Sequence, residues 1–149
     1  MDGTVSCWGY NDFGQLGASS SDQCPLNTNL ACSKSPISVQ GLTSVAQLAG
    51  GGVHTCALKT DGSVLCWGSN AKGQLGAKSK DACGSNATPC SLTPVVVAGL
   101  SAVVELDAGG SHTCARKADG TVLCWGWNEQ GQLGDGTTTD HATPTPVKW

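Results

Sequence analysis

The sequence predicts an all-β fold assembled from repeated units. Three observations carry that prediction. The phrase Cys-Trp-Gly-x-Asn-x-x-Gly-Gln-Leu-Gly occurs at residues 7–17, 66–76 and 124–134. No stretch holds a 3.6-residue apolar period long enough for a helix. The 21 glycines and 6 prolines bound short runs rich in Val, Thr and Cys, as strands between turns require. The copies start 59 and then 58 residues apart, and only their fourth, sixth and seventh positions vary. Similarity at a fixed period of this length marks units that bury their apolar faces on one another.

Aligned on that phrase, the chain reads as one repeat array, with units at about 2–60, 61–118 and an incomplete 119–149. Each unit opens on Asp-Gly-[Ser/Thr]-Val and runs into the Cys-Trp-Gly strand. The Gly-Gln-Leu-Gly turn, a variable insert, a Pro-Val strand and a Gly-Gly-x-His-Thr-Cys strand follow. Four short segments per unit predict a small antiparallel sheet for each.

The cysteines set the register. Cys56 and Cys66 flank a Thr60-Asp61-Gly62 turn, and Cys114 and Cys124 flank Ala118-Asp119-Gly120. Glycine in the left-handed position of a three-residue hairpin turn pairs 59 with 63 and so brings 56 opposite 66. Opposed cysteines in such a pair lie within disulfide reach, and the second hairpin gives the same result. Asp2-Gly3 is the same turn, so the partner of Cys7 falls before the first residue. A longer parent chain then supplies that strand, or Cys7 is free, or it pairs with another Cys7. Cys24 and Cys32 in the first insert, and Cys83 and Cys90 in the second, pair most simply within each insert, with pairing between inserts as the alternative. The third insert is shorter and has no cysteine, as expected if only the longer loops need a staple.

Nine cysteines place the protein where disulfides persist: secreted, periplasmic or at the cell surface, with any export signal removed or lying upstream. A net charge of −3 argues against nucleic acid or an acidic membrane surface as partner. No apolar run approaches the roughly 18 residues of a membrane span.

The units also sort scaffold from candidate function, because what every unit repeats is expected to be structural. His54 and His112 recur in equivalent places and read as hydrogen-bonded scaffold, while His141 reads as a solvated loop residue. The cysteines lack zinc spacing, the glycine clusters do not open a helix that would cradle phosphate, and no nucleophile turn marks a hydrolase. Glu105 and Asp107 alternate along one strand, as on a solvated face. Asp135 to Asp140 is a weak calcium-loop candidate, and Asn86 opens an acceptor sequon. Trp8, Trp67 and Trp125 recur and are expected to pack between units. The positions that vary are Tyr10, Ser69 and Trp127, followed by Asp12-Phe13, Ala71-Lys72 and Glu129-Gln130. Large aromatics and mixed charge at such positions make Tyr10, Phe13, Ser69, Lys72, Trp127 and Gln130 the candidate interaction surface.

Through Cys-Trp-Gly-x-Asn-x-x-Gly-Gln-Leu-Gly, Gly-Gly-x-His-Thr-Cys and Asp-Gly-[Ser/Thr]-Val, essentially the whole chain resembles the regulator of chromosome condensation repeat family. Its cysteines resemble those of the extracellular bacterial branch. The resemblance implies four-stranded blades of a β-propeller, of which this chain would form about two and a half, with disulfide-stapled hairpins. It also implies a fragment of a larger ring or a subunit that completes one. The expected function is a non-enzymatic binding or scaffold module, with a protein partner or other copies of itself, and no cofactor, metal or small-molecule substrate. Members of the family include a secreted β-lactamase inhibitor that binds through its propeller loops. Self-assembly into a ring or filament through unclosed blades is the alternative. Guanine-nucleotide exchange on a small GTPase, the activity of the founding member, stands third.

Overall fold

A computed structural model describes residues 3–26 and 28–149, so Asp2 of the first expected turn lies outside the described residues. The described chain is all-β and forms three antiparallel sheets side by side. The first holds β1 (Ser6–Tyr10), β2 (Gln23–Leu26) and β3 (Thr28–Ser38) in the order β1-β3-β2. The second holds β4 (Val45–Gly50), β5 (His54–Lys59), β6 (Val64–Ser69), β7 (Asp81–Cys83) and β8 (Thr88–Val96), in the order β4-β5-β6-β8-β7. The third runs from β9 (Val103–Ala108) through β10 (His112–Lys117) and β11 (Val122–Gly126) to β12 (His141–Pro146).

These sheets do not coincide with the sequence repeats, which corrects the expectation of one sheet per unit. Each complete blade takes its first two strands from the end of one repeat and the others from the start of the next: β6, β8 and β7 in the second sheet, β11 and β12 in the third. The Asp-Gly turn joins the halves. Gly62 has φ +79° and its N–H bonds the Lys59 carbonyl, and Lys59 in turn bonds Ser63. The register that follows places Leu58 opposite Val64 and Cys56 opposite Cys66, with Cα atoms 4.1 Å apart and the sulfurs bonded. Cys114 and Cys124 are joined in the same way across β10 and β11. Cys24–Cys32 and Cys83–Cys90 close the first two inserts internally.

Two apolar seams hold the blades together. Val5, Val39, Leu42, Ala57 and Trp67 fill the first. Leu58, Val64, Leu75, Leu106, Ala115 and Trp125 anchor the second. Gln47 spans the inner edge of that second seam: its amide N–H donates to the Leu106 carbonyl at 2.7 Å, and its Oε1 accepts the Leu106 N–H at 3.1 Å.

Candidate interaction surface

The repeated phrase builds one rigid loop three times. At its tryptophan the ladder bulges, and the following glycine turns to φ +102° at Gly68, where a Cβ would sit 2.7 Å from the Val53 carbonyl. The asparagine then ties the loop from within. Asn70 Oδ1 accepts the Leu75 N–H, and its Nδ2 donates to the Ala77 carbonyl; Asn11 and Asn128 do the same in their loops. Gln74 folds its Oε1 back onto the Lys72 N–H and leaves its own carbonyl facing the next blade. There the carbonyl accepts the Trp125 indole N–H and the Thr113 hydroxyl, both at 2.9 Å. Gln15 receives Trp67 and Thr55 in the same way. The last glycine lies under the ring, since a Cβ on Gly76 would meet Trp125 Nε1 at 2.8 Å.

This frame buries Trp67 and Trp125 completely but leaves Trp8 63% exposed, which corrects its expected place between blades. The cause is positional: the carbonyl that receives each buried indole comes from the blade before it, and among the described residues none lies on that side of β1.

The varying positions behave unequally. Tyr10 is 40% exposed and meets Phe13 edge-on, with ring centroids 6.2 Å apart. Partial burial, then the Asp12 charge, raise the Tyr10 pKa. Ser69, by contrast, is buried, and its hydroxyl oxygen accepts the Ala71 N–H, so it contributes nothing to a contact surface. Lys72 reaches across the seam to Glu129 at 2.6 Å and Asp140 at 3.3 Å. The Glu129 hydrogen bond chiefly raises Lys72, and Lys72 chiefly lowers Glu129. Trp127 is half-buried, its indole N–H lying near the Glu129 carboxylate but without a hydrogen-bond partner among the described residues, and Gln130 is exposed. The structure therefore divides the candidate surface into an aromatic pair, Tyr10 and Phe13, and an ionic cluster around Lys72, Glu129 and Trp127.

The third insert corrects one further expectation. His141 is not a free loop residue: it opens β12 and donates from Nε2 to Asp135 Oδ2 at 2.7 Å. Asp135 is buried, and its carboxylate also accepts the Thr137 N–H, the Thr137 hydroxyl and the Asn128 amide. The Thr137 backbone bond is the largest reason that Asp135 stays well below the usual carboxylate range. Asp140 is occupied by the Asn128 N–H and Lys72. Both carboxylates are taken up by the protein's own donors, and among the described residues no group of three or more acidic, His and Cys side chains is arranged to hold a metal ion. This polar tie occupies the insert that lacks a disulfide.

His54 is buried in the second seam. The single hydroxyl hydrogen of Thr113 goes to Gln74, so Thr113 accepts from His54 Nε2–H at 2.9 Å. That fixes the neutral tautomer and leaves Nδ1 with no partner among the described residues. Burial first, and the His112 charge second, push the His54 pKa down to about 4. Glu105 and Asp107 are exposed, and Glu105 pairs with Arg116. Asn86 is exposed in the β7–β8 turn. Cys7 is a free thiol, half-buried, and that burial raises its pKa.

One feature escaped the sequence reading. A groove of about 990 Å³ runs between the two disulfide-closed inserts, lined among others by Asp12, Ser19, Ile37, Gln40 and Leu92. Its walls come from segments up to 80 residues apart, and no local motif announces such a neighbourhood.

Comparison with known proteins gives a consistent result. The family model described as regulator of chromosome condensation (RCC1) repeat matches residues 2–58, 61–116 and 119–149, and a second model of the same repeat matches 45–74 and 103–132. The chain is 35% identical over 151 residues to a probable E3 ubiquitin-protein ligase, HERC6, of Homo sapiens, covering 99% of this chain and 14% of that protein. It is 34% identical over 145 residues to the ultraviolet-B receptor UVR8 of Arabidopsis thaliana, covering 96% of this chain and 30% of the receptor. Among solved structures, Prp20p of Saccharomyces cerevisiae superposes with a TM-score of 0.78 at 22% identity, over 98% of this chain and 34% of that one. Prp20 in complex with Kap60 superposes equally well, at 20% identity over 98% of this chain and 33% of that one. The chain thus spans less than a third of these curated relatives, and the structural likeness concerns the fold.

Proposed function

The chain belongs to the RCC1 repeat family, and from that premise and the loop geometry we propose that it is a non-enzymatic protein-binding module acting outside the cytoplasm. The observation that carries this reading is the contrast within each loop. The asparagine, glutamine and tryptophan bonds hold the backbone in one shape, while side chains at the free positions change from a Tyr10–Phe13 pair to a Trp127–Glu129–Lys72 cluster. Rigid backbone with aromatic and charged tips is suited to recognising a protein surface. Relatives fit the same reading in their own right: one solved structure is of Prp20 bound to Kap60, and another study concerns Prp20p binding to Gsp1p and histones. Four disulfides support an oxidising location.

Stacking of copies into a ring or filament is the second reading, favoured by the exposed Trp8. The residues that would receive another copy speak against it. Where the second blade presents Gln47, Ala49 and Leu58 to its neighbour, the third presents Glu105, Asp107 and Arg116. Burying those charges against an apolar face carries a desolvation penalty.

The test is to immobilise the chain, recover retained secreted and surface proteins, and measure each purified candidate against variants. Binding that weakens about tenfold on Tyr10→Ala or Trp127→Ala supports the loop surface. Equal binding by all variants removes it, and accelerated nucleotide release from a small GTPase replaces it with exchange activity.

A further inference from the structure

The groove between the two disulfide-closed inserts lies at a seam whose chemistry differs from that of the next one, although the same repeated phrase builds both. Between the second and third blades Lys72 bridges to Glu129 and Asp140, and Ala142 lies against Gly73. Between the first and second blades the equivalent positions hold other residues. Phe13 stands in place of Lys72 and Ala71 in place of Glu129, so the ionic bridge is gone. Leu92, which occupies the register position of Ala142, lies on Gly14. The third insert is short and has no cysteine, so only the earlier seam has a stapled insert on each side.

Asp12 is the one charged side chain that lines the groove, and no cation pairs with it among the described residues. Its Oδ2 lies over Gly84 of the second insert, where a Cβ would stand 3.3 Å away. Ile37, Ala82 and Leu92 supply apolar wall, and Leu92 is 48% exposed there. A carboxylate beside such a wall is matched by a cation on an aliphatic stem, which is what Lys and Arg carry. A second observation concerns shape. β7 is the last strand of its sheet, pairs only with β8 among the described residues, and lines the groove through Ala82 and Cys83. An unpaired strand edge offers backbone N–H and C=O groups to an extended peptide. The volume of about 990 Å³ stands at the top of the range for small-molecule sites, about 300–1,000 Å³, and leaves room for several residues. Two disulfides and the Asn11 bonds hold the walls in place before any ligand arrives.

We propose that this groove binds an extended segment of a partner protein in which one Lys or Arg is flanked by Val, Ile or Leu. The cation pairs with Asp12, the aliphatic side chains cover Ile37 and Leu92, and the segment's backbone pairs along β7. The inference rests on the protein-binding reading above and names the partner's chemistry. The ionic cluster of Lys72, Glu129 and Trp127 lies at the other seam, so the two can be tested apart.

The experiment selects a phage-displayed library of random heptapeptides on the immobilised full chain. Enriched sequences are then synthesised and titrated by calorimetry against wild type, Asp12→Asn and Ser38→Trp. The peptides should carry a Lys or Arg between aliphatic residues and bind one per chain. Asp12→Asn should weaken them about tenfold, and Ser38→Trp, which places an indole in the groove, should abolish binding. Asparagine matches aspartate in shape and Ser38 is exposed, so unchanged urea midpoints are expected to accompany both losses. No enrichment, enriched peptides without a cation, or equal binding by both variants would overturn the proposal. Spermidine bound as tightly as the peptides would overturn it in favour of a small-amine site. A dimer that Ser38→Trp disperses would give the groove to a second copy instead. If the peptides fail while a purified partner still responds to Trp127→Ala, the groove is removed and the loop reading survives.

Discussion

Replacing His54 by glutamine should flatten the stability profile between neutral pH and pH 4. The wild-type ring is 1% exposed and neutral, its Nε2–H given to Thr113 and its Nδ1 facing no donor or acceptor among the described residues. Protonation would add charge to a seam that also contains His112. In the unfolded chain His54 takes its proton near 6.5, and in the folded protein only near 4. Between those values the unfolded state binds more protons, so stability falls as pH falls through that window and the loss is complete near pH 4. At about 1.36 kcal/mol per pH unit this amounts to about 3 kcal/mol. Glutamine keeps an amide N–H for Thr113 and does not titrate. Urea unfolding followed by tryptophan fluorescence, run from pH 7 to pH 4, should show wild type losing about 3 kcal/mol more than His54→Gln. Parallel curves would refute the burial argument, whatever the offset between the two proteins.

The three tryptophans of the repeated phrase should respond unequally. Trp125→Ala is expected to cost about 3–5 kcal/mol and Trp125→Phe about 1 kcal/mol for its bond to Gln74, whereas Trp8→Ala stays within about 0.5 kcal/mol. Urea midpoints decide it, and a large Trp8 effect would contradict its exposure. Gln47→Ala removes two bonds to Leu106 and is expected to cost about 1–2 kcal/mol. Faster exchange at the Leu106 amide is the check. Asp135→Asn should remove a stabilisation that is present above the ordinary carboxylate range and lost as pH falls below it, because internal donors hold the folded carboxyl low. Melting temperatures recorded through the acid limb should converge for variant and wild type, and a constant gap would count against the carboxylate tie.

What the sequence determined by itself is whatever ten neighbouring residues can fix. An Asp-Gly turn sets its hairpin register, so Cys56 opposite Cys66 follows from counting, and the internally closed inserts follow nearly as directly. The all-β class and the repeat family were legible for the same reason: turn chemistry and strand composition are local, and repetition makes them unmistakable. Tertiary structure decided the rest. Three copies of one phrase are nearly identical as text, yet Trp67 and Trp125 are buried and Trp8 is not, because burial depends on a carbonyl about 50 residues away in the preceding blade. Ser69 varies among the units and is nonetheless enclosed, its short side chain turned onto the Ala71 N–H, whereas Tyr10 pairs in the same register and stays 40% exposed. His141 finds Asp135 only once β12 has paired with β11, and the straddling of repeats across blades is invisible until strands from two units share a sheet. A turn dictates its own hairpin; a surface exists only after the neighbours that leave it uncovered are in place.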